Sequence, residues 1–157
     1  MAQKPSSSRR VKVLAVASGG GHWVQLLRLR PALLGAEVVY VTVDRSYRTD
    51  VGGSVFHVVY DATRWNKWGL LRLALGMLLV VARERPDVVL TTGAAPGYIA
   101  VVIGRIFGAR TAWIDSMANV EKLSLSGQKV GRWADLWLTQ WPHLAKGDGV
   151  AHEGAVL

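Results

Sequence analysis

Val11-Lys12-Val13-Leu14-Ala15-Val16-Ala17-Ser18-Gly19-Gly20-Gly21-His22 is the stretch from which the architecture is read. Its first seven residues are apolar and partly β-branched, the pattern of a strand buried on both faces. Three consecutive glycines then permit a tight turn. From His22 to Leu34 the leucines at 26, 27, 29, 33 and 34 suit one helix face, and Pro31 is expected to kink or shorten that helix.

Outward from this unit the same alternation repeats. Strands are predicted at Glu37–Val43, Val55–Tyr60, Asp87–Thr91, Arg110–Ile114 and Asp135–Thr139. Helices are predicted at Lys67–Arg85, mostly buried and stopped by Pro86, at Tyr98–Phe107, ended by Gly108, and at Ser126–Ala134. Gly154–Leu157 reads as the start of another strand or as a tail. Strands alternating with helices give an α/β fold, a Rossmann-like parallel sheet covered on both faces. Residues 1–10 read as a flexible basic tail and 11–157 as a single Rossmann-like domain, without repeats or a linker.

The 157 residues are 50% hydrophobic and 19% charged, which excludes a disordered, collagen-like or disulfide-stapled chain. Folding at this size removes roughly 70% of the extended chain's surface from water. The net charge of +8 favours anionic partners. Cysteine is absent, excluding disulfides, zinc–thiolate sites and Cys nucleophiles, and fitting a reducing compartment. The longest apolar run, Leu73 to Ala82, falls short of the roughly 20 residues a membrane span needs. No apolar segment follows the N-terminus as in a signal peptide, so a soluble or peripheral protein on the cytoplasmic side is expected. Lys and Arg are scattered and no helix-turn-helix or RNP signature occurs, so no nucleic-acid partner is expected.

In such folds ligands bind beyond the carboxyl ends of the strands. Ser18, Gly19, Gly20 and Gly21 follow the first strand and open a helix, where backbone amides can approach a phosphate. Gly19 and Gly21 fit a dinucleotide fingerprint and Asp44 stands where a ribose-binding acid would, but Val24 occupies the third glycine position. A Rossmann NAD- or FAD-binding protein or oxidoreductase therefore stays open as the alternative. No Gly-Lys-Ser/Thr follows, so the loop is not a Walker A motif. A second opening, Thr91-Thr92-Gly93-Ala94-Ala95-Pro96-Gly97, follows the fourth strand with Pro in a first helical turn. The two loops flank the switch point and together could cradle a diphosphate. Polar residues continue past the fifth strand through Asp115, Ser116, Asn119 and Glu121. No cluster of carboxylates and histidines has metal-ligand spacing, so a metal-free site is expected.

Four segments in this order, SGGGH, TTGAAPG, IDS…LSLSG and ADLWLTQWP, resemble a glycosyltransferase family. It comprises the acceptor-side, membrane-anchoring subunit of the two-chain N-acetylglucosaminyltransferase of lipid-linked oligosaccharide synthesis (the ALG family), with the bacterial PssD-type exopolysaccharide subunits. The chain is also similar to the N-terminal half of MurG. The likeness runs from about Val11 to Leu157, with LSLSG and QWP its most specific pieces.

The resemblance implies one half of a GT-B enzyme, with a catalytic, donor-binding glycosyltransferase subunit as partner and the active site in the cleft between the two chains. It implies inverting transfer from a UDP-sugar donor, carrying GlcNAc or GlcA, to a polyprenyl-diphosphate-linked acceptor, without a cofactor. The absence of an N-terminal membrane helix, present in the eukaryotic form, points to a bacterial protein held peripherally on the inner face of the membrane.

On that reading His22 is the candidate base, its ordinary pKa lying near working pH, with helix capping or loop orientation as its other reading. Asp115 is the alternative base. Ser18, Gly19, Gly20, Gly21, Gly93, Ala94, Pro96, Gly97 and Ser116 are assigned to the acceptor diphosphate or the cleft wall, and Asn119 and Glu121 to acceptor sugar hydroxyls. His57 reads as structural, and His143 and His152 have no nameable partner. Arg64, Trp65, Lys67 and Trp68 have the composition of an interfacial anchor, or of rings packed on a sheet edge beside solvated cations.

Overall fold

In the computed structural model, residues 9–63, 65–147 and 149–156 are described. Most of the expected tail, residues 1–8, and the expected membrane residue Arg64 lie outside them. Six parallel strands form one sheet: β1 (Lys12–Val16), β2 (Glu37–Thr42), β3 (Val55–Val58), β4 (Val88–Thr91), β5 (Arg110–Ile114) and β6 (Leu136–Leu138), in the order β3-β2-β1-β4-β5-β6. The order reverses at β1, which pairs Val13 with Val38 on one side and with Val88 on the other. That reversal opens a crevice between the loops after β1 and β4, where Rossmann folds take ligands.

Four α-helices cover the sheet: α1 (Gly21–Arg28), α2 (Lys67–Glu84), α3 (Ala94–Ile106) and α4 (Leu125–Val130). Successive strand residues point to opposite faces, so Leu14, Val16, Val39 and Val41 pack with Leu73, Met77 and Val81 of α2, Val101 of α3 and Val130 of α4. Ala15, Ala17 and Tyr40 face the other way, onto Trp23 and Leu26 of α1. The small Ala side chains leave room there for an aromatic group: Trp23 stacks on Tyr47 at 5.1 Å and meets Tyr40 and Phe56 edge-on.

Several expectations change. Pro31 does end the first helix, and a 3₁₀ turn, Arg30–Leu33, replaces its last part. Helix α3 begins at Ala94, four positions earlier than expected, because Pro96 sits in the first turn, where it lacks no needed N–H. A 3₁₀ turn at Arg45–Val51, capped by Asp44 accepting from Ser46 N at 2.8 Å, has no counterpart in the sequence reading. Gly154–Val156 forms no strand, though Ala151 makes a single parallel bridge with Leu138.

Helix α2 is not mostly buried. Only Gly69, Leu73, Met77 and Val81 are, while Trp68, Leu71, Leu75, Leu78 and Leu79 line its solvent side at three- and four-residue spacing. Trp65 and Trp68 are 80% and 79% exposed and Leu79 is 70% exposed, so these tryptophans do not pack on the sheet edge. No described helix is long and apolar enough to cross a membrane.

His57 on β3 is indeed structural, its Nε2 lying 2.9 Å from Glu84. The other two unexplained histidines also have partners: His143 Nε2 meets the Val120 carbonyl at 2.6 Å, and His152 Nδ1 the Thr139 carbonyl at 3.1 Å.

Candidate functional site

The two glycine loops meet at His22. Its Nδ1 lies 2.7 Å from the Thr92 carbonyl, and Thr92 Oγ1 donates back to the His22 carbonyl at 2.7 Å. A carbonyl can only accept, so Nδ1 carries the proton and Nε2 is the basic nitrogen of the neutral ring. Gly93 makes this approach possible. Its φ of 120° is costly for other residues, and a Cβ there would stand 3.0 Å from His22 Cε1. His22, Ala94, Ser116, Asn119, Ser124 and Ser126 line one open depression of about 270 Å³.

A second, larger depression of about 700 Å³ lies on the other side of Ala94, lined by Ser18, Gly19, Ala95 and Pro96 together with Asp44, Arg45, Asp61 and Ala62. Ala94 borders both hollows with a left-handed φ of 64°. The loop following β3, which carries Asp61, leads directly in sequence to Trp65 and Trp68 at the start of α2.

Not every assigned glycine offers an amide to a ligand. Gly20 N donates to the Tyr47 hydroxyl at 2.9 Å, so that donor is used within the protein. Gly97 is buried against β4, where a Cβ would fall 2.1 Å from Thr91 Oγ1, which makes it a helix–strand packing position rather than a phosphate contact. Asp44, needed free for the dinucleotide reading, has Oδ1 committed to capping its own turn; the Ser46 amide holds its carboxyl below the usual range.

Asp115 is 1% exposed. Its Oδ1 accepts from Ser124 Oγ at 2.6 Å and Trp113 Nε1 at 3.2 Å; its Oδ2 accepts from Ser124 N at 2.8 Å and Asn119 Nδ2 at 3.4 Å. A carboxylate has about four lone-pair positions, and all are occupied. The expectation of a base at Asp115 is corrected accordingly: the side chain closes the loop from Ser116 to Ser124. Asn119, fixed by that bond, lines the depression beside His22. Ser116 also lines it but is 6% exposed, with Oγ accepting from Gln25 Nε2 and Ala118 N. Glu121 sits exposed on the same loop, outside the His22 depression.

Ser124 explains part of the LSLSG string: its Oγ also accepts from Gly127 N at 2.8 Å and caps α4. A Ser three positions before a helix glycine was the available signal. Gln25 and Gln140, each 3% exposed, were given no role in the sequence, Gln140 appearing only within QWP, because a buried amide has no local signature. Among the described residues no three His, Asp or Glu side chains converge as a metal site would require.

This fold, with a cleft at its switch point, is equivalent to one half of a GT-B architecture. The chain superimposes on MurG from Acinetobacter baumannii with a TM-score of 0.73 at 13% identity, covering 90% of this chain and 45% of that one. It superimposes on UDP-N-acetylglucosamine 2-epimerase from Rickettsia bellii with a TM-score of 0.72 at 11% identity, covering 94% and 46%.

Residues 33–155 match the pattern of the oligosaccharide biosynthesis protein Alg14 like family, and the chain belongs to that family. It is 39% identical over 95 residues to the UDP-N-acetylglucosamine transferase subunit ALG14 of Cryptococcus neoformans strain JEC21 and 36% identical over 67 residues to that of Schizosaccharomyces pombe. These matches take in 55% and 38% of this chain, but only 41% and 31% of the fungal proteins.

Proposed function

We propose that the chain is the acceptor-binding subunit of a two-chain, inverting, UDP-sugar-dependent glycosyltransferase. Its substrate would be a saccharide on a polyprenyl diphosphate, and its setting bacterial polysaccharide synthesis at the inner face of the membrane. The observation that carries this reading is His22, braced by both glycine loops with its Nε2 left basic, in a depression whose neutral hydroxyl and amide groups suit a sugar. GlcNAc is the donor sugar favoured by the ALG14 relatives' own description, with GlcA as the alternative.

The acceptor would lie across Ala94. Its reacting hydroxyl would face His22, its diphosphate would reach Gly19, Pro96 and the unengaged Arg45, and its lipid would leave past Trp65 and Trp68. The exposed stripe Trp68–Leu71–Leu75–Leu78–Leu79, about 17 Å long at helical rise, would rest in the headgroup layer, with Lys67 and Arg83 toward anionic lipid. The partner chain would supply the UDP-sugar site. No metal or other cofactor is part of this scheme.

The test is transfer of radiolabelled sugar from UDP-GlcNAc or UDP-GlcA to a polyprenyl-diphosphate saccharide, with this chain alone and with a candidate partner. Transfer requiring both chains is expected. Transfer by this chain alone would reject the split site. His22→Ala is expected to reduce transfer at least about 100-fold without weakening partner binding; retained activity would remove His22 as the base.

A further inference from the structure

Gln25 and Gln140 take no part in the scheme above, yet they tie its parts together. Gln25 Nε2 donates to the Gly21 carbonyl at 3.2 Å and to Ser116 Oγ at 3.1 Å. Its Oε1 accepts from Met117 N at 3.2 Å and from Gln140 Nε2 at 2.7 Å. Two donors and two lone pairs are all that a carboxamide has, and each is used. Gln140 Nε2 donates also to the Asp115 carbonyl at 2.9 Å, while its Oε1 accepts from Val156 N at 2.8 Å.

The knot therefore joins four pieces of chain: the first glycine loop, the loop after β5, the end of β6, and the segment 150–156. That segment returns alongside β6 at Ala151, and its Val156 carbonyl accepts from Arg28 at 3.3 Å. Breaking one bond in such a buried group strands its partner away from water, so the knot tends to hold or fail as a unit.

We propose that Gln25 is a positioning residue for the transfer reaction. One helical turn beyond His22, it fixes the spacing between that ring and the loop bearing Asn119. Through Gln140 it makes that spacing depend on how the segment 150–156 is seated. The inference rests on the acceptor-site reading given above, because the spacing matters only if a hydroxyl reacts there. Misplacement of a reacting group by about 1 Å can cost on the order of 100-fold in rate.

Two variants test it. Gln25→Met keeps the length but removes all four bonds; Val156→Pro removes one amide proton remote from His22. Both are examined by amide hydrogen exchange of Met117, Ala118 and Asn119, and by kcat and acceptor KM in the two-chain assay. Gln25→Met is expected to lower kcat about 30-fold or more with KM within about threefold. Val156→Pro should speed exchange at Met117 about tenfold and lower kcat in the same direction. The double variant should be no worse than Gln25→Met.

Unchanged exchange at Met117 in Val156→Pro, or additive losses in the double variant, would overturn the proposal. If Gln25→Met does not fold, the Val156→Pro result decides alone. If the wild-type chain transfers no sugar with any partner, the acceptor reading fails, while the exchange measurement still decides whether segment and loop are coupled.

Discussion

The two ends of the sheet are both polar, but they are organised by different forces. At the amino ends of the strands the groups carry charge: Arg9 pairs with Asp87, Lys12 with Glu37 and Glu84, Glu84 with His57, and Arg105 with Asp135. Most ion pairs among the described residues gather there; His57, which Glu84 holds, stands level with Val41 toward the other end of the sheet. At the carboxyl ends the organisers are chiefly amides and hydroxyls, with the fully bonded carboxylate of Asp115 and the turn-capping carboxylate of Asp44. Exposed ion pairs are weak and screened by salt, whereas buried neutral networks are screened little and fail abruptly. Ion pairing, with the salt dependence that accompanies it, is thus concentrated away from the end where a ligand would dock.

The sharpest way to break this contrast is Asp115→Ala, which leaves the Ser124 amide and Trp113 Nε1 without their acceptor. It is expected to cost about 3 kcal/mol or more in urea unfolding, with little dependence on salt. A loss below about 1 kcal/mol would mean that the loop closes without it.

At the other end, Glu84→Gln is expected to cost about 1–2 kcal/mol at neutral pH. Burial pushes the Glu84 carboxyl up, but His57 and Lys12 outweigh it and hold the group below its ordinary value of 4.5. A carboxylate depressed in the folded state contributes stability above its unfolded value and loses it as pH falls through the folded one. The gap between wild type and Glu84→Gln should therefore close as pH falls below 4.5 and through the folded-state value; a gap that persists in acid would refute the ion-pair origin. The smallest effect belongs to Arg9→Ala, expected within about 0.5 kcal/mol at low salt and vanishing at 1 M, because the Arg9–Asp87 pair is largely exposed.

How much of this was legible in the sequence follows the range of the forces involved. β5 lies at Arg110–Ile114 as read, since a short run buried on both faces is written in its own residues. The start of α3 was placed four residues late although Pro96 had been read in a first helical turn: the buried packing of Gly97 on Thr91, which shows that turn to belong to α3, is a tertiary contact. His22 was found because glycines announce the loop that carries it. Asp115 was found for the wrong reason: a carboxylate after a strand looks the same in sequence whether it is free or quadruply bonded. The Gln25–Gln140 bond spans 115 residues, so even with Gln140 visible in QWP its partner could not be read from any window. The exposed leucines of α2 were misjudged because an apolar helix reads as buried when nothing in the sequence says what covers its second face.

The strand order has a consequence for synthesis. β1 is the sheet's pivot, yet its second neighbour, β4, begins only at Val88, so Lys12–Val16 has one partner while the residues between Thr42 and Val88 are still to be made. Until then it is an apolar edge with open N–H and C=O groups, the kind of surface on which nascent chains pair with the wrong neighbour. Truncated or stalled chains ending before residue 88 should therefore be sticky and dependent on chaperones, and solubility should return only once β4 has emerged.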